Sequence, residues 1–88
     1  MILFHVSPTK FARLDPSKAT GDLKVSWLVR PMMLTWAIEH VAVRHGRLHD
    51  QLFIYRYDVS KSKVTKYFDL GIYITFDPLD HEDRWRNV

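Results

Sequence analysis

The chain has no cysteine, three glycines, four prolines and only two glutamates in 88 residues. Without cysteine there is no disulfide framework and no thiolate metal site. The glycines are scattered, which excludes a glycine-rich phosphate loop. The glutamates, Glu39 and Glu82, give no carboxylate pair at a spacing suited to glycosidase-like chemistry. No stretch approaches the ~20 apolar residues of a membrane span. The first residues, Met1 to Val6, have neither the basic region nor the apolar length of a signal peptide. The expectation is a cytoplasmic protein that does not engage a membrane.

Apolar and aromatic residues are plentiful, at 47% and 14%, which suits one packed core and argues against disorder. A chain of this length makes one domain. The net charge is +3 and unevenly placed. Residues 77–88 hold Asp77, Asp80, Glu82 and Asp83 against Arg84 and Arg86, so the remainder is basic. A basic body steers toward nucleic acid or acidic partners, or is a solvated surface.

Alternation of side chains predicts a first strand over residues 2–6, stopped by Pro8, which has no N–H to donate. A connection follows, with Phe11 and Leu14 as anchors and turn chemistry at Asp15-Pro16-Ser17 and Thr20-Gly21-Asp22. Residues 23–29 read as a second strand. Pro31 suits the first turn of a helix running to His45, with Gly46 as its stop. Met33, Trp36, Ala37, His40 and Val41 have the spacing of a core-facing stripe. Strands are predicted over 52–59, 63–68 and 71–76, and a polar tail over 77–88 that is partly helical or loose. The order β-β-α-β-β-β predicts an α+β domain over residues 1–76: a mostly antiparallel sheet of about five strands with one main helix packed on it.

His5 stands near the end of the first strand, followed by Ser7 and Lys10. A histidine there can bind a ribose hydroxyl or move a proton near neutral pH. The competing reading is a half-buried strand histidine bonded to backbone. Metal ligation by the other histidines is not expected. His40 and His45 point about 140° apart on a helix, and Gly46 interrupts the four-residue spacing of His45 and His49. Tyr55, Tyr57, Tyr67 and Tyr73, with Arg56, Lys61, Lys63 and Lys66, form either a base-stacking, phosphate-holding face or simply good strand residues.

Taken in order, these pieces resemble the small ADP-ribosyltransferase-like domains of bacteria and their phages. Leu3-Phe4-His5-Val6-Ser7-Pro8 stands where such domains carry His-Gly-Ser or His-Gly-Thr on a first strand. Phe11, Leu14 and Asp15-Pro16-Ser17-Lys18 match the following loop. Val25-Ser26-Trp27-Leu28-Val29 matches the second strand, with Trp27 in the place of the family's aromatic residue. Ala37 matches the helix, and residues 52–64 match the next strand pair. The resemblance implies NAD as cofactor, with His5 on a ribose, Ser7 beside it and Trp27 stacked near the nicotinamide. It implies loss of nicotinamide through an oxocarbenium-like state and transfer of ADP-ribose to a target, with His5 and Glu82 as the catalytic residues. The sequence departs from the pattern at Val6 and Val29, and it has no late Glu-x-Glu or Gln-x-Glu motif. The expectation is therefore an accessory protein of phage or mobile-element type that acts by binding a protein partner and retains a residual NAD cleft. The alternatives are an active mono-ADP-ribosyltransferase acting on a host protein, and a small nucleic-acid-binding protein using Lys61, Lys63 and Lys66.

Overall fold

A computed structural model describes residues 1–19, 21–68 and 71–86. The α+β reading holds: among the described residues, one α-helix packs on a sheet of six antiparallel strands. In chain order the elements are β1 (Ile2–Ser7), β2 (Ser26–Val29), α1 (Leu34–His45), β3 (Phe53–Asp58), β4 (Thr65–Phe68), β5 (Ile72–Thr75) and β6 (Asp83–Arg86). The spatial order is β4-β5-β2-β1-β3-β6. β2 and β3 both run antiparallel to β1 and are therefore parallel to each other, with β1 between them. The connection between parallel strands has to cross a face of the sheet. That connection is α1, and it lies over β1.

A 3-10 turn opened by Pro31 leads directly into α1. Arg44 and His45 occupy the last turn, where positive charge complements the helix dipole. Gly46 ends the helix at φ 61°, in the left-handed region that glycine enters without a Cβ penalty. The inward face differs from the predicted stripe by about one residue. Ala37 and Ala42 are buried, with Met33, Leu34, Ile38 and Val41 packed beside them. Trp36 and His40 instead stack on one another on the outer side, ring centres 5.0 Å apart. Alanines at the contact let the helix approach closely, so the bulky Trp36 is left outside.

Two apolar layers result, one on each face of the sheet. On the helix side, Val6, Val29, Ile54 and Leu52 meet α1. On the other side, Leu3, Leu28, Tyr55, Tyr57 and Tyr73 are covered by Leu14 and Leu79. Those two residues come from the long connections β1–β2 and β5–β6, which cross this face. They are stitched together by a pair of backbone hydrogen bonds, Leu14 N to Leu79 O (3.1 Å) and Leu79 N to Leu14 O (2.9 Å).

The tail is the main correction to the sequence reading. Residues 83–86 form β6, an edge strand on β3, where a loose or partly helical tail was expected. Trp85 packs edge-on against Phe4 (6.0 Å), and the Arg86 guanidinium lies over the Phe53 ring (5.2 Å). A four-residue edge strand with a single apolar side chain has no alternation to detect. The second and fourth predicted strands are also shorter than expected, because Lys61–Lys63 is a 3-10 turn and β2 begins at Ser26. The predicted turn at Thr20 and the last two residues of the tail fall outside the described residues. No helix among the described residues is long and apolar enough to cross a membrane.

The two left-handed glycines should respond differently to a Cβ. At Gly46 nothing lies within 4 Å of an added Cβ, whereas at Gly71, φ 103°, it meets the Arg30 side chain at 3.1 Å. Gly46→Ala is expected to cost about 1 kcal/mol and Gly71→Ala roughly 2–4 kcal/mol in urea unfolding. Equal losses would show that the contact with Arg30 relaxes freely.

Candidate functional site

β1 sends alternate side chains to opposite faces. Leu3, His5 and Ser7 lie on the side crossed by the two long connections, and Phe4 and Val6 lie under α1. On the connection side, His5 joins Tyr55, with ring centres 6.4 Å apart, and Phe11, at 5.8 Å. Phe11 stacks flat on Tyr55 at 4.0 Å and 7°. His81, carried by the β5–β6 connection, sits edge-on to Tyr55 (5.0 Å) and Tyr57 (6.3 Å). Two histidines and two tyrosines, drawn from β1, β3 and the β5–β6 connection, thus share one layer.

The hydrogen bonds fix the state of several of these groups. His5 Nδ1 lies 2.7 Å from the Trp27 carbonyl oxygen. A carbonyl only accepts, so Nδ1 carries the proton and the neutral ring keeps Nε2 as an acceptor. Desolvation lowers the pKa of His5 below its ordinary value, and the bond to Trp27 opposes that shift without reversing it. Ser7 Oγ accepts the Thr9 amide (3.1 Å), which spends the hydroxyl on the turn at Pro8. Tyr55 Oη accepts the Phe11 amide (2.9 Å) and donates to the Thr9 carbonyl (3.4 Å), tying the connection down to the sheet. Tyr57 Oη has no protein partner, nor does His81 Nδ1. Burial pushes the Tyr57 phenol pKa far up, helped by Tyr55 and Asp80.

The residues singled out in the sequence do not all meet here. The Trp27 side chain lies on the opposite face from His5. Its strand neighbour Leu28 belongs to the connection-side layer, and Trp27 itself touches Tyr67 edge-on at 4.8 Å. His5 therefore meets Trp27 only through the backbone. The Glu82 carboxylate is held by Arg56 Nη2 at 2.9 Å, which also faces Asp83 at 3.3 Å. Arg56 alternates with Tyr55 and Tyr57, so this ion pair belongs to the helix side and the β6 edge. The shallow depressions at the C-terminal end of α1 and beside Arg13 and Lys63 border none of His5, Ser7 or Trp27.

Of the four tyrosines, Tyr55, Tyr57 and Tyr73 are buried and only Tyr67 is exposed. Lys61 and Lys63 are exposed on the turn before β4, and Lys63 borders a shallow depression shared with Arg13, Asp58 and Asp80. Lys66 pairs across β4–β5 with Tyr73, which puts it on the connection side. Among the described residues, no three His, Cys, Asp or Glu side chains gather closely enough to hold a metal ion. His81 was the member of the layer that sequence reasoning missed as a neighbour of Tyr55 and Tyr57. Only the crossing of the β5–β6 connection brings it there, and no local pattern signals that.

A second group of aromatics stands out on the helix side. Phe68 pairs with Ile72, whose side chain packs in the helix-side layer. A bulge between Lys66 and Phe68 inserts Tyr67, which reaches Trp27 on that same side. Trp27, Tyr67 and Phe68 are 43%, 60% and 51% exposed. No family model matches the chain, and no curated protein and no solved structure matches it. The site is read from its own geometry.

Two tyrosines in one layer should give opposite results on losing a hydroxyl. Tyr55→Phe strands the Phe11 amide and is expected to cost about 1–2 kcal/mol. Tyr57→Phe removes a buried, unpartnered hydroxyl and is expected to raise stability by about 1 kcal/mol. Chemical denaturation of the pair decides it, and a loss on Tyr57→Phe would mean that its hydroxyl is satisfied. His5 sets a pH dependence. Its folded pKa is depressed, so its contribution is fully present above the unfolded value of about 6.5 and is lost as pH falls below it. The drop in unfolding free energy between pH 7.5 and 5.5 is expected to be smaller in His5→Asn than in the unaltered chain; identical drops would remove His5 from the explanation.

Proposed function

We propose that this protein acts by binding a protein partner through the exposed Trp27, Tyr67 and Phe68 patch, rather than as an efficient transferase. The observation that carries the reading is the patch itself. Three aromatic side chains from two strands are gathered on one face, and a bulge has to be spent to bring two of them there. Trp and Tyr dominate the energetic centres of protein interfaces, with charged residues at the rim. Lys61 and Lys63 are exposed on the turn before β4, and Lys63 borders the depression beside Leu79 on the other face.

Two features favour a protein over nucleic acid. Trp27 and Tyr67 meet edge to face, so one ring covers a face of the other and the pair offers no two parallel platforms for successive bases. Lys66 stands on the opposite face from the aromatics, so phosphates held by it do not bring bases to them.

The competing transferase reading would put NAD in a residual cleft at His5, with Nε2 accepting from a ribose hydroxyl. Against catalysis, the ring faces Phe11 and Tyr55, Trp27 lies on the other face, and the Glu82 carboxylate is committed to Arg56.

Two measurements test the proposal. Trp27→Ser combined with Phe68→Ser should weaken a retained protein partner by about 30-fold or more while thermal stability stays nearly unchanged. Retention unaffected by this variant would discard the patch. Calorimetric titration with NAD should give no saturable heat; saturable binding that vanishes in His5→Ala would shift the function to the transferase reading.

A further inference from the structure

A separate surface lies on the outer side of α1. Met32, Trp36 and Val43 are 74%, 46% and 81% exposed, and Leu48 just beyond the helix is 68% exposed. Trp36 and Val43, seven residues apart, share one face of α1, and Met32, four residues before Trp36, extends the row into the 3-10 turn that leads into the helix. His40 completes the row by stacking on Trp36. At the C-terminal end of α1 the row runs into a shallow depression floored by Ala42, Val43 and Leu48 and rimmed by Glu39, Arg47 and His49. At the other end stands Met32, a long and flexible apolar side chain.

We infer that this row is a self-complementary seam on which a second copy of the chain docks, its helix antiparallel to the first. A two-fold interface requires the same patch on both copies, with each projection meeting the other copy's recess. Met32 and Val43 are eleven residues apart, ~17 Å along the helix. An antiparallel second copy brings its Met32 over the depression beside Val43, and its own depression over the first Met32. The two Trp36–His40 plates then meet near the axis. Glu39, the one acid on α1, is drawn aside by its own His49 at 3.2 Å.

The area fits a reversible dimer. The four exposed apolar side chains present on the order of 400–500 Å² per copy, the scale at which a patch marks an interaction site. Doubled across the axis this reaches on the order of 1,000 Å², near the lower limit for a specific interface. The seam shares no residue with the Trp27, Tyr67 and Phe68 patch, so it stands or falls independently of the partner proposed above.

Sedimentation velocity from micromolar to high micromolar concentration tests it. The unaltered chain should show a concentration-dependent monomer–dimer equilibrium. Met32→Glu and Val43→Glu should each weaken it about tenfold or more. Both positions are exposed, so folding is not at stake, and circular dichroism checks that. A chain carrying Met32→Lys together with Val43→Glu should recover association, because the antiparallel register sets lysine against glutamate at both ends. A monomer throughout overturns the inference. So does a dimer indifferent to the two glutamate substitutions, or a double variant that fails to recover.

Discussion

Because β1 pairs with β2 on one side and with β3 on the other, the chain between β2 and β3 has to cross over β1, and α1 is that crossing. The remaining strands can then join only outside β2 and β3. β5 takes the β2 side and carries β4 with it; β6 takes the β3 side. Since β5 and β6 end up on opposite flanks, the segment joining them must traverse the sheet. The helix already occupies one face over β1, and the traverse uses the other. There it meets the β1–β2 connection, and the Leu14–Leu79 bridge fastens the two. The placement of His81 against Tyr55 and Tyr57 is thus a consequence of topology.

That same economy limits what the His5 layer can do. Most polar groups brought there are already committed to holding a connection on the sheet; Tyr57 Oη and His81 Nδ1 are not. Ser7 fixes the turn at Pro8, Tyr55 ties down residues 9–11, and His5 is bonded to the backbone of β2. A group locked to the backbone is well positioned but has little left to offer a substrate. His5 Nε2 also keeps its acceptor capacity, but the ring packs beside Phe11 and Tyr55 rather than a carboxylate. Transition-state stabilisation of a cationic sugar needs negative charge placed where the charge develops. The one late glutamate is neutralised by Arg56 at the sheet's edge.

Sequence patterns predicted the parts of this fold that local chemistry determines. β1, β3 and α1 carry strong alternation or helical spacing, with Pro31 and Gly46 as boundaries, and they lie where the pattern puts them. The inward face of α1 was harder, because Trp36 and Ala37 both fit a core stripe and only the closeness of helix to sheet selects the alanine. β6 was not legible, since an edge strand rich in arginine and aspartate satisfies its backbone on one side without an apolar face. The candidate site was legible only in fragments. Strand alternation does put Tyr55 and Tyr57 on one face. That this face is buried, and that Trp27 and His5 lie back to back, depends on which strands are neighbours.

The unequal cover of the two faces also explains why both proposed docking surfaces lie on the helix side. Six strands at ~4.8 Å spacing make a sheet roughly 24 Å wide, while one helix with its side chains covers ~10–12 Å. The connection side is closed by two crossing segments. The helix side has α1 alone, centred on β1, which leaves the β2–β5–β4 flank open. A chain this short has too little surface-covering material to close both faces. Exposed positions there are forced by the topology, and polar residues at them would have cost nothing in the core. Instead the flank carries Trp27, Tyr67 and Phe68, and the outer side of α1 and the turn before it carries Met32, Trp36 and Val43. Apolar side chains grouped at positions that water would otherwise cover are the area that both proposed interfaces would bury.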